Sequence, residues 1–284
     1  MKSAKRLLTN LLTACAAFVA ASVQAEQVGA TATSAAVLAA SAVSAVSATS
    51  TAPLASAASF VLPATAVSSS ADTQTLPTSV KVSYKIYKGS ILIGQNDETF
   101  ERKGKRYSIV STTHAEGPLA IFFKEHITYK SEGIINAQGL QPLTFEQVRA
   151  EASRNIFAKF DWDKKEITST RDGRSEPFDL PDGTQDRLSS MYQFMHAIPK
   201  TAQLTVLMSQ GKRSERYSYQ KQGEPTIKTP VGDFETVYYA RNVKDGEPKS
   251  QLWLAKNKFY LPVRVIFEDK NGAFEQVLTS LSVQ

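Results

Sequence analysis

Thiols are all but missing from this chain. Its 284 residues hold one cysteine, Cys15, and three histidines, His114, His126 and His196. If the segment around Cys15 is removed on export, the mature protein has no disulfide, no thiolate nucleophile and no cysteine metal site. The histidines show no i, i+4 pair and no HExxH, so no set of three or four converging ligands for a metal is visible. No G-x-S-x-G elbow, P-loop or G-x-G-x-x-G occurs, and no cofactor-binding motif. Ser189 and His196 share a predicted helix but stand seven residues apart, about 10 Å along its axis. That is too far for a nucleophile and its base. Long apolar runs are also missing apart from one at the start, from Leu7 to Val23.

What is there begins with that run. Lys2, Lys5 and Arg6 precede it, and Val23-Gln24-Ala25 offers small residues for cleavage, the layout of a secretory signal peptide over 1–25. Leu12-Thr13-Ala14-Cys15 also has the form of a lipobox, which would lipidate Cys15 and attach the chain to a membrane. The short stretch before Cys15, interrupted by Asn10, and the apolar run after it favour plain cleavage. From Gln27 to Ser79 the chain is nearly all Ala, Ser, Thr and Val, with Asp72 its only charge. Such small side chains bury too little area to offset the entropy of ordering a backbone. Residues 26–79 therefore read as a disordered tether, spanning roughly 40 Å as a random coil.

Residues 80–284 read as a single β-rich domain. Lys2, Lys5 and Arg6 leave with the leader and no acid precedes Glu26, so of the formal charge of +6 only +3 remains. That small excess points away from nucleic acid. Apolar residues alternate in Val82/Tyr84/Ile86, Tyr107/Ile109, Ile156/Ala158/Phe160/Trp162, Phe234/Thr236/Tyr238, Leu261/Val263/Val265/Phe267 and Phe274/Gln276/Leu278. A period of two means strands with one buried and one wet face. Lys88-Gly89, Lys103-Gly104, Asp172-Gly173, Asp182-Gly183, Asp245-Gly246 and Asn271-Gly272 supply hairpin turns between them. About a dozen such strands must curl to hide their edges. The fold class is all-β: a strongly curved antiparallel sheet or open β-barrel with one packed amphipathic helix.

The helix is announced by Leu188, Met191, Tyr192 and Met195 at i, i+3, i+4 and i+7, with Asp186 placed to cap it and Pro199 to stop it. A short second helix over 118–123 is weaker. Aromatic residues are many for one sheet and one helix. Most fill the core; Trp162, Tyr192 and Trp253 are the candidates to line an apolar groove beneath the helix. Asp161 and Asp163 point the same way on a strand, about 6.6 Å apart, yet Asp-Trp-Asp-Lys-Lys reads more simply as a solvated turn. Glu98, Glu101, Glu116 and Glu125 are scattered. No catalytic residue is assigned.

Four motifs occur in order: Gly139-Leu140-Gln141-Pro142-Leu143-Thr144-Phe145, then Gln185-Asp186-Arg187-Leu188-Ser189 with Tyr192-Gln193, then Thr229-Pro230-Val231-Gly232-Asp233-Phe234-Glu235-Thr236, then Leu252-Trp253-Leu254-Ala255 with Tyr260-Leu261-Pro262-Val263-Arg264. In that order they resemble the exported bacterial domain of unknown function numbered 3108, over residues 80–283. The resemblance implies a β-rich protein exported to the Gram-negative envelope. It brings no activity and no catalytic residues. By looser analogy, a curved sheet with a helix in its mouth is similar to periplasmic lipoprotein carriers of the LolA and LolB kind. The function so read is a periplasmic, non-catalytic binding or carrier protein for an apolar or amphipathic ligand, with a lipid or envelope component as partner. The alternative is an envelope assembly or structural factor that binds a protein, and a glycan- or lipid-acting hydrolase ranks below both.

Overall fold

The computed structural model describes residues 76–117, 120, 126–196, 201–209, 211–241, 243 and 247–284. The leader, Cys15, most of the low-complexity stretch, the helix expected over 118–123, Pro199 and the Asp245-Gly246 turn lie outside the described residues.

Alternation builds the sheet as expected. In the first half, hairpins join β1 (Ser79–Lys88), β2 (Ile91–Lys103), β3 (Arg106–Ala115), β4 (His126–Asn136) and β5 (Gly139–Arg149), then β6 (Ile156–Asp161), β7 (Glu166–Arg171) and β8 (Arg174–Asp179). The second half holds β9 (Gln203–Ser209), β10 (Ser214–Gly223), β11 (Thr226–Thr229), β12 (Gly232–Arg241), β13 (Lys249–Ala255), β14 (Pro262–Asp269) and β15 (Gly272–Val283). The sheet runs β8-β7-β6-β5-β4-β3-β2-β1-β15-β14-β13-β12-β10-β9, with β11 on the free part of β12. Every strand pair is antiparallel, and β1 takes β15 as its second neighbour, Val80 opposite Val283. The turn chemistry holds: Asp172 (φ 50°) and Gly173 (φ 72°) both take the positive φ of a tight hairpin.

The fold starts slightly before the change in composition at Val80. Leu76 is 9 % exposed and packs in the core. Arg102 donates to its carbonyl (2.9 Å), and the Thr78 amide donates to Gln284 O (2.7 Å).

The sheet does not close on itself. Its two end strands are β8 and β9. Pro177 and charged neighbours blunt the edge of β8. The edge of β9 is strapped by the segment that follows β8. There the Gln185 amide donates to Leu207 O (2.8 Å) and Gln185 O accepts from the Ser209 amide (2.9 Å), the one parallel bridge among the described residues.

That strap leads into α1 (Ser189–Tyr192), extended by a 3-10 turn over Gln193–Met195. The helix is shorter than its spacing predicts. Leu188, Tyr192 and Met195 are buried as expected, but so are Ser189, Ser190 and Phe194 from its other sides. The segment packs on the sheet as a plug, buried on more sides than its apolar stripe.

Candidate functional site

Local chemistry makes the plug. The Asp186 Oδ1 accepts the amides of Leu188 (2.8 Å) and Ser189 (2.9 Å), while the Ser189 hydroxyl accepts the Asp186 amide (2.9 Å). This reciprocal cap satisfies three backbone donors that a helix start would otherwise orphan. The other carboxylate oxygen, Oδ2, accepts from Ser131 on β4 (2.5 Å), and Ser131 meets the Tyr107 hydroxyl on β3 (3.3 Å). At its far end, Gln193 accepts the Leu140 amide (2.7 Å) and donates to Gln138 O (2.8 Å), so the plug is clamped to the β4–β5 hairpin. Only glycine fits at 139: its φ is +114°, and a Cβ would come within 2.3 Å of the Gln193 side chain.

Between the plug and strands β1–β4, β14 and β15 lies a cleft of about 50 Å³ (the volume open to the centres of water molecules). That is room for about four waters or one small chemical group. Asn96, Glu98, Ser111 and Gln276 form a polar wall, and Leu188, Met191, Pro262 and Val265 an apolar one. Glu98 stands at the centre. Its Oε1 accepts from Asn96 (2.8 Å) and Ser111 (3.3 Å), and its Oε2 from the Tyr192 hydroxyl (3.0 Å). Tyr192 in turn stacks on Phe100 (centroids 5.5 Å, planes 10° apart), which stacks on Tyr107.

Burial raises the pKa of Glu98 above the ordinary glutamate range, against the lowering effect of its three donors. Burial likewise pushes Asp186 up to about 6. Tyr84 and Tyr192 are driven well above their usual range, by burial first and by the charge of Glu98 second. Arg187 lines the same cleft with its guanidinium over the Tyr129 ring (5.2 Å), donating to the Tyr129 hydroxyl (3.1 Å).

Of the three aromatic candidates, only Tyr192 reaches this cleft. Trp253 is 6 % exposed but stands on the other face of the sheet from Val265, stacked on Tyr238 (4.5 Å, 1°) with Arg264 over its ring (4.8 Å). Trp162 donates from Nε1 to Pro142 O (2.7 Å) and packs on the small cluster of Ala158, Phe160, Ile167 and Leu180. Asp161 caps its turn by accepting the Lys164 amide (3.0 Å), which holds its pKa down. His114 and His126 sit opposite each other on β3 and β4, and no three potential metal ligands gather among the described residues.

Glu98 is the residue that sequence reading missed. The signal was its place in the alternation, since Asn96, Glu98 and Phe100 share one face of β2 and Phe100 is a core residue. A second hollow, beside β5–β7, is larger, about 430 Å³, but it is a surface trough flanked by Val148 (46 % exposed) and Phe157 (40 %).

The family model described as "Protein of unknown function (DUF3108)" matches residues 81–279. The chain belongs to the DUF3108 family. The match runs from β1 into β15, so the plug and cleft lie inside the DUF3108 domain. No curated protein matches the chain. Among solved structures, the DUF3108 chain is similar to a β-barrel-like protein of domain of unknown function DUF1849 from Brucella abortus. Identity there is 13 % and the TM-score 0.47, covering 74 % of this chain and 99 % of that one. A putative exported protein with YmcC-like fold from Bacteroides fragilis shows 11 % identity and TM-score 0.34, over 72 % and 95 % of the two chains. The Mycobacterium tuberculosis lipoprotein LppX shows 10 % and 0.22, over 72 % and 86 %.

Proposed function

We propose that this DUF3108 domain is a non-catalytic binding protein of the cell envelope, which seats one end of an apolar or amphipathic ligand beneath its plug. The observation that carries the reading is the cleft, where a half-buried carboxylate and several polar side chains converge opposite an apolar wall. Its volume suits a head group and excludes a whole acyl chain. The tail of such a ligand leaves past Met191, the partly exposed residue of the helix. Envelope location rests on the layout of the first 25 residues, and lipidation of Cys15 would add attachment to a membrane.

Native mass spectrometry of the processed protein tests this. The wild type is expected to carry a small amphiphile, or to bind ten-carbon amphiphiles added to it. Met191→Trp, which fills the cleft, is expected to weaken that binding at least tenfold. A wild type that retains and binds none of them would overturn the reading. The trough flanked by Val148 and Phe157 supports a second reading, an assembly factor that docks a protein there. Replacing both residues with serine would then abolish a partner interaction and leave amphiphile binding intact.

A further inference from the structure

We infer that the cleft selects a positively charged nitrogen: the group it takes is an organic ammonium, seated on Glu98 beside Tyr84 and Tyr192. The inference rests on the binding reading above and specifies its ligand.

Glu98 receives three donors, from Asn96, Ser111 and Tyr192, and all three are neutral. A carboxylate offers about four acceptor positions. One is left, on a side chain that lines the cleft. Among the described residues no Lys, Arg or His comes within ion-pair distance of Glu98. Arg187, which also lines the cleft, keeps its guanidinium over the Tyr129 ring and donates to the Tyr129 hydroxyl rather than to Glu98. Glu98 is half-buried at the cleft, and a carboxylate drawn partly out of water and held only by neutral donors leaves its charge uncompensated. The upward pKa shift of Glu98 expresses the same deficit.

A ligand ammonium supplies both missing parts, the countercharge and a donor or close electrostatic contact. Tyr84 and Tyr192 line the cleft with Glu98, and aromatic rings attract cations and hold alkylated nitrogen well. Phosphate or carboxylate groups would meet Glu98 as a like charge, and a plain alcohol would leave it uncompensated. The apolar wall of Leu188, Met191 and Val265 then takes the carbon next to the nitrogen.

The experiment compares three probes on the full processed chain by calorimetry: decyltrimethylammonium and decyl sulfate below their micellar concentrations, and decanol below its solubility limit. The ammonium is expected to bind at least tenfold more tightly than decanol, and the sulfate most weakly. Glu98→Gln, nearly the same size, removes the preference, with ammonium binding falling to within a few-fold of decanol binding in the same variant. Tyr192→Phe keeps the preference, because the charge stays. Tetramethylammonium that competes at millimolar concentration would point to a small free organic cation as the ligand, and failure to compete would point to an amphiphile whose ammonium head needs its chain. Equal binding of decanol and the ammonium by the wild type overturns the inference without any variant, and so does a preference that survives in Glu98→Gln. If Met191→Trp still abolishes decanol binding in that case, the cleft remains a binding site and only its selectivity was misread. If no probe binds, both readings fall together.

Discussion

Asp186→Ala will lower the stability of the domain by about 3–5 kcal/mol, because it strands two helix amides and the Ser131 hydroxyl in the interior. For a domain of this size that is a fall in Tm of about 10 °C. Asp186→Asn will cost far less. Its carbonyl still accepts the two amides, and its amide can donate to Ser131. The two variants also separate capping from charge. The folded-state pKa of Asp186 is about 6, against an ordinary 3.8. The folded protein therefore holds this proton more tightly than the unfolded chain does. The stability so gained is fully present below about pH 4 and is lost as pH rises through 6. At pH 7 the loss is about 3 kcal/mol, from roughly two units at 1.36 kcal/mol each. Urea unfolding at pH 4.5 and pH 7.5 measures it: the wild type minus Asp186→Asn difference will shift in favour of the wild type at the lower pH. An identical difference at both pH values would show that Asp186 does not titrate in this window.

Gly133→Ala will be worse still. Gly133 sits where the register of β4 on β5 slips. A Cβ there would lie 2.2 Å from Gln141 O and 2.7 Å from the Tyr107 ring. The first obstacle is backbone and cannot swing away. The ladder must part or Tyr107 must leave its stack on Phe100, and a loss above about 4 kcal/mol follows. Gly173→Ala is the control. Its φ of +72° is strained for alanine, but nothing stands within 4 Å of the new carbon, so its cost is about 1–2 kcal/mol. Thermal unfolding that ranks the two in the opposite order would contradict the packing described around Tyr107.

Much of this architecture is legible in the residues. Val82, Tyr84 and Ile86 alternate and are buried together on β1. The spacing of Leu188, Tyr192 and Met195 does mark a helix. The side that faces the interior is less legible. Residues Leu252, Trp253, Leu254 and Ala255 of β13 are all buried, because both faces of that strand are covered. Alternation then carries no information, and Trp253 reads as a groove residue when it stands on the far face. In β12, Phe234/Thr236/Tyr238 is a real alternation, yet Val237 and Tyr239 of the opposite parity belong with the interior of β13 and β14. Ser189 and Ser190 look like the wet side of a helix. Their small size instead lets strands approach from behind, and a stripe of large residues cannot report that. The contact from Ser131 to Asp186 crosses 55 positions, which no local pattern encodes. Glu98 was the readable exception, one position out of phase with Asp97 and in phase with Phe100.

The pairing of β1 with β15 sets the order of events after synthesis. The earliest strand of the domain to leave the ribosome must wait for the latest before its second edge is covered, with Thr78 and Ser79 finally bonded to Gln284. Until then two long, apolar strand margins stand naked in the middle of the would-be sheet, where strangers can add on. The domain is thus obliged to mature only once its last strand has been made. A stop codon just ahead of Gly272 would yield an aggregating fragment rather than a weaker version of the same protein.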